Sequence, residues 1–130
     1  MQARSTPRPD LEAHSYVMRL PFPVVAKELS QLLGRRLTAY IADVSDTRAV
    51  TDWEAGAREP RPHLPQRLQL ALVVAKLIAG HDDARVAQAW FQGLNPELDD
   101  RSPARLLREG DIDEAGPLVL AAARAFVIGG

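Results

Sequence analysis

Residues 67–80 read Arg-Leu-Gln-Leu-Ala-Leu-Val-Val-Ala-Lys-Leu-Ile-Ala-Gly, "RLQLALVVAKLIAG". On a 3.6-residue period its apolar side chains fall on most sides, so that Leu68, Leu72, Val73, Leu77 and Ile78 are offered to several neighbours at once. A helix of this kind must be covered by other helices. It is also too short to cross a bilayer, which takes about 18 to 20 apolar residues. The stretch predicts the central buried helix of an all-α domain, over about 66–80 and closed by Gly80.

Working toward the N-terminus, Pro60, Pro62 and Pro65 form a joint that cannot be continuous helix, since each ring removes an N–H and pushes the preceding residue away from the α region. Before it, "RRLTAYIADVSDTRAVTDWEAGAREPRP" (35–62) divides into two short helices, about 37–44 and 46–55. Ser45-Asp46 supplies the break and a cap, and Gly56 closes the second piece. Short helix, tight turn, short helix is the pattern of a helix-turn-helix. "FPVVAKELSQLLG" (22–34) places Val25, Leu29, Leu32 and Leu33 at helical spacing and ends at Gly34. Residues 1–20 combine two prolines, mixed charge and scattered apolar residues, and read as a disordered arm. The division expected is an arm (1–20), a helix-turn-helix region (21–62) and a C-terminal helical domain (63–130).

Toward the C-terminus, "DDARVAQAWFQG" (82–93) has Asp82 or Asp83 as N-cap and stops at Gly93. "SPARLLREG" (102–110) has Ser102 as cap, Pro103 as first helical residue and Gly110 past the end. In "DIDEAGPLVLAAARAFVIGG" (111–130), Gly116 as cap and Pro117 as first residue predict a final helix over about 117–127. No strand alternation and no fixed-period repeat is present.

The chain has 130 residues, a formal net charge of -1 and no cysteine. It is long enough for one domain or two small helical subdomains sharing a core. There is no global basic field to draw nucleic acid, so DNA contact must come from a local patch. The absence of cysteine removes disulfides, zinc–thiolate sites and Cys nucleophiles, and fits a reducing cytoplasm. The first 20 residues lack the apolar run of a secretory signal. His14, His63 and His81 are scattered, so no metal site is assigned. "DIDEAG" (111–116) superficially suggests a calcium loop, but Ala115 and Ala122 stand where oxygen ligands are required. No phosphate-binding, dinucleotide or nucleophile-elbow motif occurs, so neither catalysis nor a cofactor is expected.

Two stretches carry the functional reading. Around the candidate recognition helix, Arg35, Arg36, Arg48, Arg58 and Arg61 cluster, with Thr47, Arg48 and Thr51 as donors to DNA. Arg48 and Thr51 are expected to contact bases, and the other arginines to position the backbone. Asp46, Asp52 and Glu54 lie on or beside the same helix and oppose phosphate. In "AWFQGLNPEL" (89–98), Trp90 and Phe91 point about 100° apart on a helix. Either one of them faces outward as an interface anchor, or both are buried by the 102–109 helix.

The run "AWFQGLNPELDDRSPARLLREGD" (89–111), followed by an Ala-rich helix to the terminus, resembles the toxin-binding domain of the Xre/MbcA/ParS-type antitoxins. "TRAVTDWEAGAREPRP" (47–62) resembles the W-x-x-G-x-x-x-P end of their Xre-like helix-turn-helix. The resemblance spans about residues 25–130. It implies a protein that neutralises a RES-domain toxin, a class that depletes NAD, and that is encoded beside it. It also implies repression of the shared operon, and a homodimer or a higher hetero-oligomer with the toxin. The family's C-terminal tail lies near the toxin's active-site cleft; carried over, that tail is Arg124, Phe126, Val127, Ile128, Gly129 and Gly130. Trp90, Phe91, Leu94 and Leu107 are then expected to supply the wider docking surface. The alternative is a stand-alone DNA-binding regulator whose C-terminal helices only dimerise it.

Overall fold

Leu68, Leu72, Val73, Leu77 and Ile78 are all buried, in the middle of a helix that runs from Leu64 to His81. It is the fifth of eight helices in the computed structural model, which describes residues 8–129. In chain order these are α1 (Pro9–Met18), α2 (Phe22–Leu33), α3 (Arg35–Ala42), α4 (Arg48–Glu54), α5 (Leu64–His81), α6 (Ala84–Gln92), α7 (Pro103–Glu109) and α8 (Ile112–Gly129). A single 3₁₀ turn, Pro96–Leu98, links α6 to α7. The fold is all-α. Among the described residues the only β pairing is an isolated bridge between Asn95 and Arg101.

The helix boundaries follow from local chemistry. Asp83 Oδ1 accepts the Val86 N–H at 3.0 Å, and Ser102 Oγ accepts the Arg105 N–H at 3.1 Å, so α6 and α7 start at capped positions. Asp46 Oδ1 accepts the Arg48 N–H and opens α4. Gly34 and Gly56, at φ +87° and +70°, end α2 and the α4 turn in the left-handed half of backbone space. Asp43 takes a left-handed conformation between α3 and α4 without glycine. Pro65 is not a hinge. It stands in the first turn of α5, where a missing N–H costs nothing.

α5 carries α1 and α2 on one part of its surface and α6 and α8 on others, while α3 packs on α7 and α4 on α2. One buried cluster runs through all of them, from Val17 to Ala123. The helix-turn-helix-like helices are therefore packed directly on the C-terminal ones.

Two expectations are corrected. Residues 9–18 are not a disordered arm but a helix. Pro9 occupies the first turn, Asp10 and Glu12 place negative charge at the positive end of the helix dipole, and Val17 is fully buried against the core. Tyr16 Oη donates to Glu28 Oε2 at 2.7 Å and Lys76 Nζ lies 4.7 Å from the Tyr16 ring centroid, fastening α1 to α2 and α5. The rest of the arm, residues 1–7, lies outside the described residues. The final helix begins at Ile112 rather than 117. Asp111 caps it, accepting the Asp113 N–H on its side chain at 3.1 Å and the Ala115 N–H on its carbonyl at 2.7 Å. Pro117 is inside the helix on its exposed side, so the carbonyl that its ring leaves without an N–H partner faces solvent. Gly116 is a contact residue and not a cap. A Cβ there would lie 3.0 Å from Leu70 Cδ2, so glycine lets α8 approach α5 closely.

Candidate functional site

Of the side chains predicted to meet a partner protein, Trp90 of α6 and Phe126 of α8 come together, while Arg124, Val127 and Ile128 line a groove against α1. Asp83 sets the register of α6, and that register turns Phe91 wholly into the core while leaving Trp90 part-buried at its edge. The two rings stand edge to face, 5.3 Å apart at 90°. Trp90 then meets Phe126 of α8, centroids 6.4 Å apart. The three rings form one wall, with electrostatically favoured tilted and T-shaped contacts. Beyond it Leu94 is 76% exposed, held out of the core by Gly93 and the Asn95 turn, whose side chain accepts the Glu97 N–H at 2.9 Å.

Along α8, Val119, Ala122 and Ala123 are buried, Phe126 and Val127 are half-buried, and Ile128 is 86% exposed. Two of the predicted docking residues need correction. Phe91 has no exposed surface and Leu107 only 1%, so both are core residues rather than parts of an open surface. The last helix also runs past the expected end near 127: α8 continues to Gly129, with Phe126 and Val127 packed against the core. Gly130 lies outside the described residues.

Arg124 is not free at this face. Its Nε donates to Asp10 Oδ2 at 2.9 Å, and Arg8 Nη2 approaches the same oxygen at 3.4 Å. Asp10 is 93% buried by α1 and α8, the complement of its 7% exposure. Burial raises its carboxyl, but the hydrogen bond and charge of Arg8, the Leu11 amide and the charge of Arg124 more than offset this and hold it below the usual carboxylate range. No signal for this long-range pair exists in the sequence, where Asp10 stands 114 positions from its partner.

At the other end, α4 buries Ala49, Val50 and Trp53 and turns Arg48 and Thr51 outward. Thr47, Arg36 and Arg58 are exposed too. The predicted DNA-contacting arginines divide in two. Arg35 is committed to Glu54 by two hydrogen bonds of 2.9 and 3.0 Å, which also hold the Glu54 carboxyl below its ordinary range. Arg61 donates to the Ala42 carbonyl at the end of α3. There it joins Arg67, which donates to Ile41 O at 3.2 Å, and Arg108, which donates to Tyr40 O at 2.8 Å and pairs with Asp43 at 2.9 Å. Arg61 and Arg67 thus satisfy the orphan carbonyls of Ala42 and Ile41, and all three guanidinium groups sit at the negative dipole end of α3. Burial, with Arg61 nearby, lowers the Arg67 guanidinium from its ordinary value. Arg36, Arg48 and Arg58 meet no carboxylate within 4 Å among the described residues.

Among the described residues no group of three or more His, Asp or Glu could hold a metal ion, and no helix is long and apolar enough to cross a membrane. A groove of about 520 Å³ lies between Arg36, Tyr40, Gln92 and Ser102, open along the α3–α7 seam and without a charged pair facing across it.

No family model matches the chain, and comparison with curated proteins finds no match. Among solved structures, the chain is similar to the antitoxin of the M. tuberculosis MbcT–MbcA toxin–antitoxin complex. The two share 29% identity with a TM-score of 0.66, over 82% of this chain and 94% of that one. The likeness is one of sequence as well as fold, and it reaches across both halves of the molecule.

Proposed function

We propose, from the premise that this chain is an antitoxin of the MbcA type, that it binds and neutralises a protein toxin of the RES class, one that consumes NAD, and that it does so in the cytoplasm as a regulator without catalysis of its own. The observation that carries the reading is the end of α8. Ile128 stands 86% exposed at the end of α8 and Leu94 76% exposed just after α6, while Trp90 and Phe126, both part-buried, join those two helices. Apolar side chains exposed in this way are buried by a partner at a gain of about 25 cal/mol per Å². Because residues 126–129 are helical, the end of α8 meets the toxin as a rigid element and loses little conformational entropy on binding. Occlusion of the toxin's NAD pocket by Phe126, Val127, Ile128 and the terminal glycines is the mechanism this favours, with Arg124 at the rim.

The test is co-expression with the toxin encoded beside it, reading growth and NAD content. Ile128→Asp is expected to abolish protection while leaving stability within about 0.5 kcal/mol of wild type, since the side chain is on the surface. Full protection by a folded Ile128→Asp protein sinks the occlusion mechanism.

A second activity is favoured by a separate observation: Arg48 and Thr51 lie outward on α4, with Arg36 and Arg58 exposed around them. Repression of the shared operon through α4 in the major groove fits that face. Replacing Arg48 by Ala then weakens operator binding by about 1 to 3 kcal/mol and random duplex less, read by gel retardation. Equal losses on both duplexes assign Arg48 to phosphate.

A further inference from the structure

The N-terminal half of α1 and the last turn of α8 enclose a groove of about 250 Å³, its floor made by Leu77, Val127 and Ile128 and its rim by Arg8, Asp10 and Arg124. Asp10 Oδ2 accepts from Arg124 and is paired with Arg8, so the one carboxylate at the rim is already engaged. The guanidinium side chains around it remain 61% and 45% exposed, and among the described residues neither meets any other carboxylate. A guanidinium carries five N–H donors in a planar fork, and each of these two spends one on Asp10. What faces outward is therefore an apolar slot edged by unspent cationic donors, with two positive charges against one negative.

From this we infer that the α1–α8 groove is a second docking element for the toxin, taking an apolar side chain that has an acidic residue beside it. The inference rests on the antitoxin reading and extends it to a part of the molecule, α1, that the C-terminal tail does not include. The commitment to an acidic neighbour comes from charge complementarity: the rim carries two guanidinium groups against one carboxylate, so a basic or neutral partner leaves them partly desolvated without full compensation. The apolar commitment comes from Leu77, Val127 and Ile128, which leave no polar atom on the floor for a polar insert to bond. The groove is continuous with the proposed toxin face, since Ile128 belongs to both, so a partner seated on the end of α8 reaches the rim arginines without a second contact elsewhere. Asp10 acts here as a positioning residue: it aims the Arg124 fork along the rim and keeps α1 against α8.

The experiment uses the full-length protein and the toxin, with affinity measured by calorimetry or interferometry at low and at raised salt. Arg8→Glu reverses the rim charge at a solvent-exposed position, and binding is expected to weaken by about tenfold or more, with a flatter salt dependence. Arg8→Lys should restore most of the affinity, and Lys27→Glu, on the exposed side of α2 away from the groove, should leave it unchanged. Circular dichroism on each variant checks that α1 keeps its helix. Wild-type affinity in a folded Arg8→Glu protein overturns the groove while leaving the toxin reading intact. An equal loss in Lys27→Glu also overturns it, since net charge alone then explains the effect. Failure of the wild-type protein to bind toxin at all removes the premise, and the groove proposal with it.

Discussion

Phe91 and Trp90 are neighbours in sequence with different tasks, and the difference comes from the turn of about 100° that one residue step makes on a helix. Phe91 has no exposed surface and is among the largest wholly buried side chains, so truncation leaves a cavity that the surrounding helices fill only in part. Phe91→Ala is expected to destabilise the protein by about 3 to 5 kcal/mol, measured by urea unfolding at 25 °C. Trp90 touches both Phe91 and Phe126 but keeps part of its surface, so Trp90→Ala should destabilise less than Phe91→Ala and weaken toxin binding at the same time. A Trp90→Ala protein as unstable as Phe91→Ala, with toxin affinity unchanged for the folded fraction, assigns Trp90 to the core alone. Ile128 is the opposite case, with 86% of its surface exposed and nothing to lose in the fold. The three positions together separate stability from recognition.

At the scale of the element, α1 is held by an ion pair at its start and by Val17 and Tyr16 toward its end. The Asp10 carboxyl is held below the usual range in the fold, so folding favours its ionised form. Its contribution is complete above about pH 4, the value of an unfolded aspartate, and fades as pH falls through the lower folded value. Thermal unfolding should therefore show Asp10→Asn below wild type at neutral pH, with the gap closing toward pH 3. A gap independent of pH makes Asp10 a packing residue rather than an ionic one. This element also marks where the sequence was and was not legible. α2, α6 and α7 were readable from their caps and spacing, because Gly34, Asp83 and Ser102 act within one turn of the residues they serve. α1 was not, since most of its apolar residues stay exposed and its anchors, Arg124, Glu28 and Lys76, are distant in sequence. The start of α8 failed for the same kind of reason: Pro117 signals a boundary locally, whereas the close fit of Gly116 on Leu70 prolongs the helix. At the site, Ile128 and Leu94 were singled out through the family resemblance, as part of the tail and of the docking surface, and both are exposed. The burial of Leu107 and the commitment of Arg35, Arg61 and Arg124 to carboxylate or carbonyl partners depend on contacts across the fold.

Across the whole molecule, the expected boundary at residue 62 coincides with a change of sequence character but not with a gap in the core. α2 and α1 lie on α5, and the buried cluster runs without interruption from Val17 through Leu72 to Ala123. Polar contacts cross the same line: Gln88 Nε2 donates to Leu32 O at 2.8 Å, Lys76 pairs with Glu28 at 2.9 Å, and Arg67 and Arg108 cap the end of α3. A fragment of residues 63–130 keeps α5 but exposes the surface that α1 and α2 cover, and at fewer than about 70 residues a single core is marginal even when complete. Its expected behaviour is a loss of cooperative structure: residual far-UV helicity, weak near-UV signal, a broad thermal transition and binding of a hydrophobic dye. The full-length chain should instead unfold in one transition that is the same by fluorescence and by circular dichroism. Two separate transitions in the full chain, or a fragment with a native near-UV spectrum and wild-type toxin affinity, would show that the C-terminal helices form a domain of their own. One shared core has a consequence for function: a toxin seated on α6 and α8 presses on the same packed interior that supports α3 and α4. Substitutions that loosen the seam, such as Arg108→Ala on α7, which removes the contacts to Tyr40 and Asp43 at the end of α3, should then lower stability and operator affinity together while toxin contacts stay in place.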